Sequence, residues 1–377
     1  MDFFNFHLMP YRHVDLDAVE KNGSAWVTFS NAHYDPALGA RLYHEYLDQM
    51  EYADQMGFDG VCLNEHHQTA YGLMPTPGVL AGALARAVKR GRLAILGRAL
   101  PLLNNPLSVA EEFALLDNLT EGRFIAGFVR GIGAEYHAMG LNPTESQERF
   151  MEAHDLIMQA WTRPGPFAFV GKHYEFNYVN PWPRPYQDPH PPVWVPSQGS
   201  SSTIEWASRN RYTYCQTLSP IDVVAKFFSM YRESAQRFGY EASASQLAWS
   251  NCIYVAETDE KAVQQAKPHL EALMTKLLKM PIEMLLPPGY TNLEAMQRIK
   301  KTRAVSFNNK PQTIDDFIRM GVVIIGSPAT VAEKLAEYEE KAGFGTVLTK
   351  TQFGTMPHQM AMENIAAIAS EVIPKFK

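Results

Sequence analysis

Three stretches of this 377-residue chain carry side chains able to do chemistry. The first is LNEHHQTAYG, residues 63–72, where an acid and two histidines follow an apolar run. Neighbouring residues of an extended chain face opposite ways. Only one of His66 and His67 can then face a pocket, which is poor geometry for a two-histidine metal site. His137 and His358 stand alone in the sequence, so no metal is expected. A single imidazole that gives or takes a proton near neutral pH is the better reading, with His66 the candidate. The alternative is that both rings cap loop carbonyls.

The second stretch is GFVRGIG, residues 127–133. An apolar run delivers Arg130 between glycines. A guanidinium fork suits a phosphate, and Gly131 lets backbone approach a ligand closely. The third is QGSSSTIEW, residues 198–206. The hydroxyls of Ser200, Ser201, Ser202 and Thr203 stand where a helix would start, and free N–H groups there attract anions. One serine would suffice for a simple cap. Arg149, on a predicted helix, can reach the same region. Arg98, inside the apolar run LGRAL, needs a partner, either an ion pair or the edge of a bound ring, with Ala99 beside it.

These residues need elements to hold them. Apolar runs at 3–9, 58–63, 93–100, 123–129, 193–196, 212–217, 247–256 and 346–350 read as strands. Helical patterns follow at 43–56, 77–88, 108–119, 145–161, 203–208, 221–238, 259–278, 328–342 and 357–373. Strands alternating with helices predict a parallel sheet, and eight units predict an α/β chain closed as a (β/α)8 TIM barrel. No G-x-G-x-x-G follows the first strand, which counts against an open dinucleotide-binding sheet. The whole chain, 1–377, reads as one barrel domain with insertions near 10–41, 162–192 and 279–326. The middle insertion should hold a hairpin around Gly171-Lys172. The last is rich in Pro, Met and Lys and, with the first, could form a lid. In both α/β barrels and open sheets, ligands meet the C-terminal ends of strands, where all three stretches fall.

Composition narrows the class. A net charge of -6 without a basic block argues against nucleic acid. The N-terminus lacks a secretory pattern, and no apolar run is long enough for a membrane helix. Three isolated cysteines suit a reducing cytoplasm and not a disulfide framework.

Taken together, FDGVCLNEHH, NPLSVAEEFALLDNLTEGRFIAGFVRG, SSSTIEWAS and FGTMPHQMAMENIAAIASEVIP resemble the bacterial luciferase-like family of flavin-dependent monooxygenases. The likeness spans most of the chain and is more diffuse over 162–192 and 279–326. It implies the (β/α)8 barrel, with FMN delivered reduced (FMNH2) by a separate flavin reductase. Oxygen would add to the ring as a C4a-hydroperoxide and be passed to a small organic substrate.

By position, His66 matches the family's active-site histidine, and Arg130 its phosphate arginine, with Gly131 beside it. Arg149 matches a second phosphate arginine, and Ser200 and Thr203, flanking Ser201 and Ser202, match hydroxyls of its turn. The resemblance also implies a non-proline cis peptide near residues 97–100 and a homo-oligomer. Val129 and Gly199 replace a cysteine and a glutamate of light-emitting members, so a non-luminescent enzyme is expected. Two alternatives stay open: hydride transfer with the deazaflavin F420 on the same fold, and a non-catalytic flavin-binding subunit.

Overall fold

The computed structural model describes residues 1–291, 297 and 313–377. Its strands are β1 (Asp2–Phe6), β2 (Gly60–Leu63), β3 (Arg92–Ala99), β4 (Phe124–Val129), β5 (Phe167–Val170), β6 (Glu175–Val179), β7 (Val193–Ser197), β8 (Thr213–Thr217), β9 (Leu247–Val255), β10 (Val323–Gly326) and β11 (Thr346–Lys350). Eight of them, β1-β2-β3-β4-β7-β8-β9-β11, pair in parallel and close as β11 returns to β1. The expected (β/α)8 barrel is therefore present.

Every staff of this barrel runs the same way, so Phe6, Leu63, Ala99, Val129, Ser197, Thr217 and Lys350 end at one rim. Inside, Phe4 of β1 meets Trp194 of β7 across the lumen, ring centroids 5.1 Å apart. Burying each such ring contributes about 1.5–3 kcal/mol. Gly60 is required there, because a Cβ would lie 2.4 Å from the Phe4 ring. Between β3 and β4 the register shifts after Ile95. A Cβ on Gly127 would stand 2.1 Å from the Ile95 carbonyl oxygen, so only glycine allows that approach. The Leu96–Gly97 peptide is cis, just before the stretch expected to hold such a bond. Outside, Phe128 stacks on Phe113 and Trp161 of the surrounding helices.

Several boundaries differ from the sequence reading. The helix expected at 43–56 is Pro36–Met56, because Asp35 accepts hydrogen bonds from Ala37 and Leu38 and Pro36 opens the first turn. The 10–41 stretch is partly ordered secondary structure, with a helix at Leu16–Asn22 capped by Asp15. The glycine-flanked turn after Arg130 continues as a helix, Gly133–Met139. Within 279–326, taken as irregular, helix Ile314–Arg319 precedes β10, which pairs with the upper half of β9 beyond the eight staves. That strand is four apolar residues, too short for periodicity to declare it. Residues 292–296 and 298–312 of that predicted lid lie outside the described residues. The hairpin is present, with β5 and β6 antiparallel across the Gly171-Lys172 turn. Among the described residues no helix is long and apolar enough to cross a membrane.

Candidate active site

The strand ends sort the 63–72 stretch as alternation requires. Glu65 and His67 turn to one side and pair with each other, His67 Nε2 lying 2.8 Å from Glu65 Oε1. Arg98 Nη1 donates to the other Glu65 oxygen at 2.8 Å, and the Ala99 N–H adds a bond at 3.2 Å. Nη2 of Arg98 reaches Glu112 Oε2 at 3.4 Å. Of the two readings open for Arg98, the structure supplies the ion pair, although its Nε stays buried without a partner. Burial pushes the Glu65 carboxyl up, but His67 and Arg98 more than offset it and hold it below the usual range. Glu112 moves the other way, raised by burial against the pull of Arg98.

Replacing Arg98 with methionine leaves the buried Glu65 carboxylate without its cation, held by His67 and the Ala99 N–H alone among the described residues. Arg98→Met is expected to cost about 3–5 kcal/mol of stability. Urea unfolding measures it, and a loss below about 1 kcal/mol would mean that the pair does not hold the strand ends together.

His66 faces the other way. Its Nδ1 lies 3.0 Å from Glu135 Oε1. Glu135 is buried, and its second oxygen accepts the Ile132 N–H at 2.8 Å. A carboxylate on Nδ1 fixes the proton there, leaving Nε2 as the available proton acceptor. Trp26 and Tyr71 wall the imidazole, with edge contacts at 5.2 and 5.1 Å, and stack on each other. Trp26 is anchored from its indole N–H to the Leu277 carbonyl at 2.9 Å. A cleft of about 510 Å³ opens beside this group, lined by Val27, Thr28, Gln68, His137, Ala138 and Met284 among others.

Arg130 leaves β4 onto the same rim. Its guanidinium lies over the Tyr290 ring, Cζ 4.0 Å from the centroid, and among the described residues has one long bond, 3.5 Å, to Gln147. Tyr290 is itself fixed by its hydroxyl on the Gly131 carbonyl at 2.6 Å, and Tyr136 holds the Arg130 carbonyl at 2.5 Å. A Cβ on Gly131, at φ +82°, would come within 3.4 Å of Ala99 Cβ. Ala99 and Gly131 are thus packed together, which joins the ends of β3 and β4. The fork is held in place, and among the described residues Gln147 is its one hydrogen-bond partner, a donor set that fits a phosphate.

The serine run follows β7, the staff next to β4. Ser200 precedes helix Ser201–Arg209 and bonds to Ser202, Oγ to Oγ at 2.9 Å. Ser200, Ser201 and Ser202 are exposed and Thr203 half-buried. Arg149 is placed differently. Its Nε and Nη2 donate to the carbonyls of Pro101 and Leu103 at 3.1 and 3.0 Å, so it holds the turn after β3.

The rim therefore gathers His66, Arg98, Ala99, Arg130 and Gly131 on three adjacent staves. Sequence reading passed over Glu135, Tyr290, Trp26 and Tyr71. Glu135 had one local signal, an acid three residues past Ile132 at a helix start. Trp26 and Tyr290 come from distant loops and had none, and Tyr71, in the same 63–72 stretch as His66, had no feature marking it as a wall of the site. Among the described residues no cluster suited to a metal ion is present.

Comparison with known proteins gives the family and relatives of the same fold. The family model described as luciferase-like monooxygenase matches residues 25–344. A 2,5-diketocamphane 1,2-monooxygenase of Pseudomonas putida is 26% identical, covering 91% of this chain and 96% of that protein. The same fold occurs in the FMN complex of the oxygenating constituent of 3,6-diketocamphane monooxygenase from Pseudomonas putida. That likeness has TM-score 0.75 at 20% identity, over 100% and 98% of the two chains. It also occurs in an F420-dependent secondary alcohol dehydrogenase, TM-score 0.64 at 16% identity, over 100% and 99%.

Proposed function

Because the chain belongs to the luciferase-like monooxygenase family, we propose that it is the oxygenase component of a two-component system. It takes reduced FMN from a separate flavin reductase and uses O2 to oxygenate a small organic molecule. The observation that carries this reading is the rim itself: a phosphate-ready Arg130 beside an imidazole whose proton is fixed on one nitrogen.

When bound and reduced, the flavin supplies the electrons that activate oxygen. The protein's part is to bind, orient and keep water out. Arg130 would hold the phosphate, with Ser200, Ser201, Ser202, Thr203 and the helix start behind them. Gly131 and Ala99 bring the backbone close to the ligand. Arg98 braces Glu65 and so the end of β2, and Arg149 braces the turn after β3. Both then act on the cofactor pocket through position. His66 Nε2 would hold or pass on a proton during oxygen transfer. Trp26 and Tyr71 shield it from solvent, as oxygen-transfer chemistry needs. The diketocamphane relatives favour insertion of oxygen beside a carbonyl, the Baeyer–Villiger outcome, over hydroxylation.

The test is an anaerobic titration with reduced FMN, followed by rapid mixing with oxygen in the presence of a cyclic ketone. Tight binding and oxygen incorporated into the ketone support the reading. The F420-dependent neighbour makes hydride transfer the second reading. Binding of F420 in preference to FMN, with no oxygen uptake, would replace the first by the second. A purely non-catalytic subunit would have no need of the His66–Glu135 pair.

A further inference from the structure

The last residue of β11 is a lysine, and it is buried: Lys350 is 1% exposed. Its ammonium bonds to the Ser250 hydroxyl of β9 and lies 5.4 Å from the centroid of the Phe6 ring of β1. It therefore points into the barrel, below the rim that carries the candidate site. No salt bridge joins it to a carboxylate among the described residues. A buried cation without a counter-ion is costly, and an apolar residue would fill the space more cheaply. An anion that arrives with the ligand would offset that cost.

The other titratable groups around Lys350 come from each packed element. Among the described residues these are Cys252, paired with Lys350 in register on β9, Cys62 on β2, paired with Phe6, and Tyr71 from the loop after β2, which feels both Cys252 and the Glu135 carboxylate that holds His66. Burial raises all three, Cys252 to about 11, so none is an anion near neutrality. Burial likewise lowers Lys350 to about 8. It is the group here whose charge changes within the working pH range.

The reduced isoalloxazine ring sheds its N1 proton near neutrality and becomes an anion, whereas the oxidised ring is neutral. Charge near N1 is one of the ways a protein tunes a flavin. We propose that Lys350 is the counter-ion for the charge the flavin acquires on reduction, so that this barrel holds the reduced cofactor in preference to the oxidised one. This rests on the flavin reading above. It would let the protein accept the cofactor from a reductase in the reduced form and release it once oxidised.

The experiment compares wild type with Lys350→Met, which keeps the length of the side chain and removes the charge. Affinities for reduced FMN (anaerobic) and oxidised FMN are measured, with the midpoint potential of the bound flavin as an independent readout. Wild type is expected to prefer the reduced form. In Lys350→Met that preference should shrink by about tenfold or more, with oxidised FMN bound as before. A tenfold change lowers the potential by about 30 mV for a two-electron couple.

Flavin bound by both proteins with the same ratio and potential would overturn the role of Lys350 alone. Wild type that binds neither form would overturn the cofactor reading and this proposal together. If the variant does not fold, wild type still decides. Below about pH 8 the lysine is already charged. Above it, reduced FMN must bring a proton in, so its affinity should fall with rising pH while that for oxidised FMN does not. Parallel profiles for the two forms would refute the proposal.

Discussion

Arg130→Ala is expected to weaken FMN binding by roughly 10- to 150-fold for each charge-assisted hydrogen bond lost, at about 1.5–3 kcal/mol apiece. A paired fork on a phosphate would lose two. The fold should survive, because Arg130 is half-buried and, among the described residues, its side chain has a 3.5 Å bond to Gln147 and the face of Tyr290. Tyr290 keeps its own bond to the Gly131 carbonyl. The decisive comparison is FMN against riboflavin, which lacks the phosphate. In wild type FMN should bind far more tightly, and in the variant the gap should close. Equal FMN affinities in the two proteins would remove Arg130 from the phosphate site and shift attention to the serine turn after β7.

For His66→Ala the expected pattern is the opposite: flavin binding near wild type, product formation lower by about 100- to 10,000-fold, the range of a lost general acid–base group. Oxygen consumption should continue without product, releasing hydrogen peroxide. Glu135→Gln supplies the control that a merely structural role would not satisfy. With its amide oxygen on Nδ1 the ring keeps its tautomer and loses the adjacent charge, while the Ile132 N–H gives up the acceptor that the second carboxylate oxygen supplied. Activity between wild type and His66→Ala is expected, with an altered pH profile. Product yield unchanged in His66→Ala would take the imidazole out of the chemistry. The remaining explanation would then be a packing role against Trp26 and Tyr71.

The two stability and cofactor variants above, at Arg98 and Lys350, probe different layers. Arg98 joins strand ends outside the barrel wall, where Glu112 of a surrounding helix also reaches it. Lys350 lies within the wall. A loss of stability without a change in flavin potential marks the first, and the reverse pattern marks the second.

Much of the barrel was legible because its staves are continuous apolar runs broken by polar residues at one end. Pattern and punctuation found all eight, and β11 at 346–350 coincided with the structure. Local chemistry also placed Arg130 at a strand end and Ser200 before a helix. It placed His66 and His67 on opposite sides, since that alternation is a property of the extended backbone. Arg98 in an apolar run announced that it needed a partner, but not which one.

What the sequence by itself determined was therefore the set of elements, their order, and which residues stand at strand ends. Periodicity and capping act over a few residues and are written locally. The tertiary structure alone decided the partners. Glu135 lies 69 residues from His66, Tyr290 stacks on Arg130 from a segment after the ninth strand, and Lys350 meets Ser250 100 residues away. Arg149, the natural companion for a phosphate by residue type, gives its Nε and Nη2 to two carbonyls of the turn after β3. Such pairings depend on which staves the closed sheet makes neighbours and on how far each loop reaches over the rim. Barrel closure and register set both, and no local stretch of sequence encodes them.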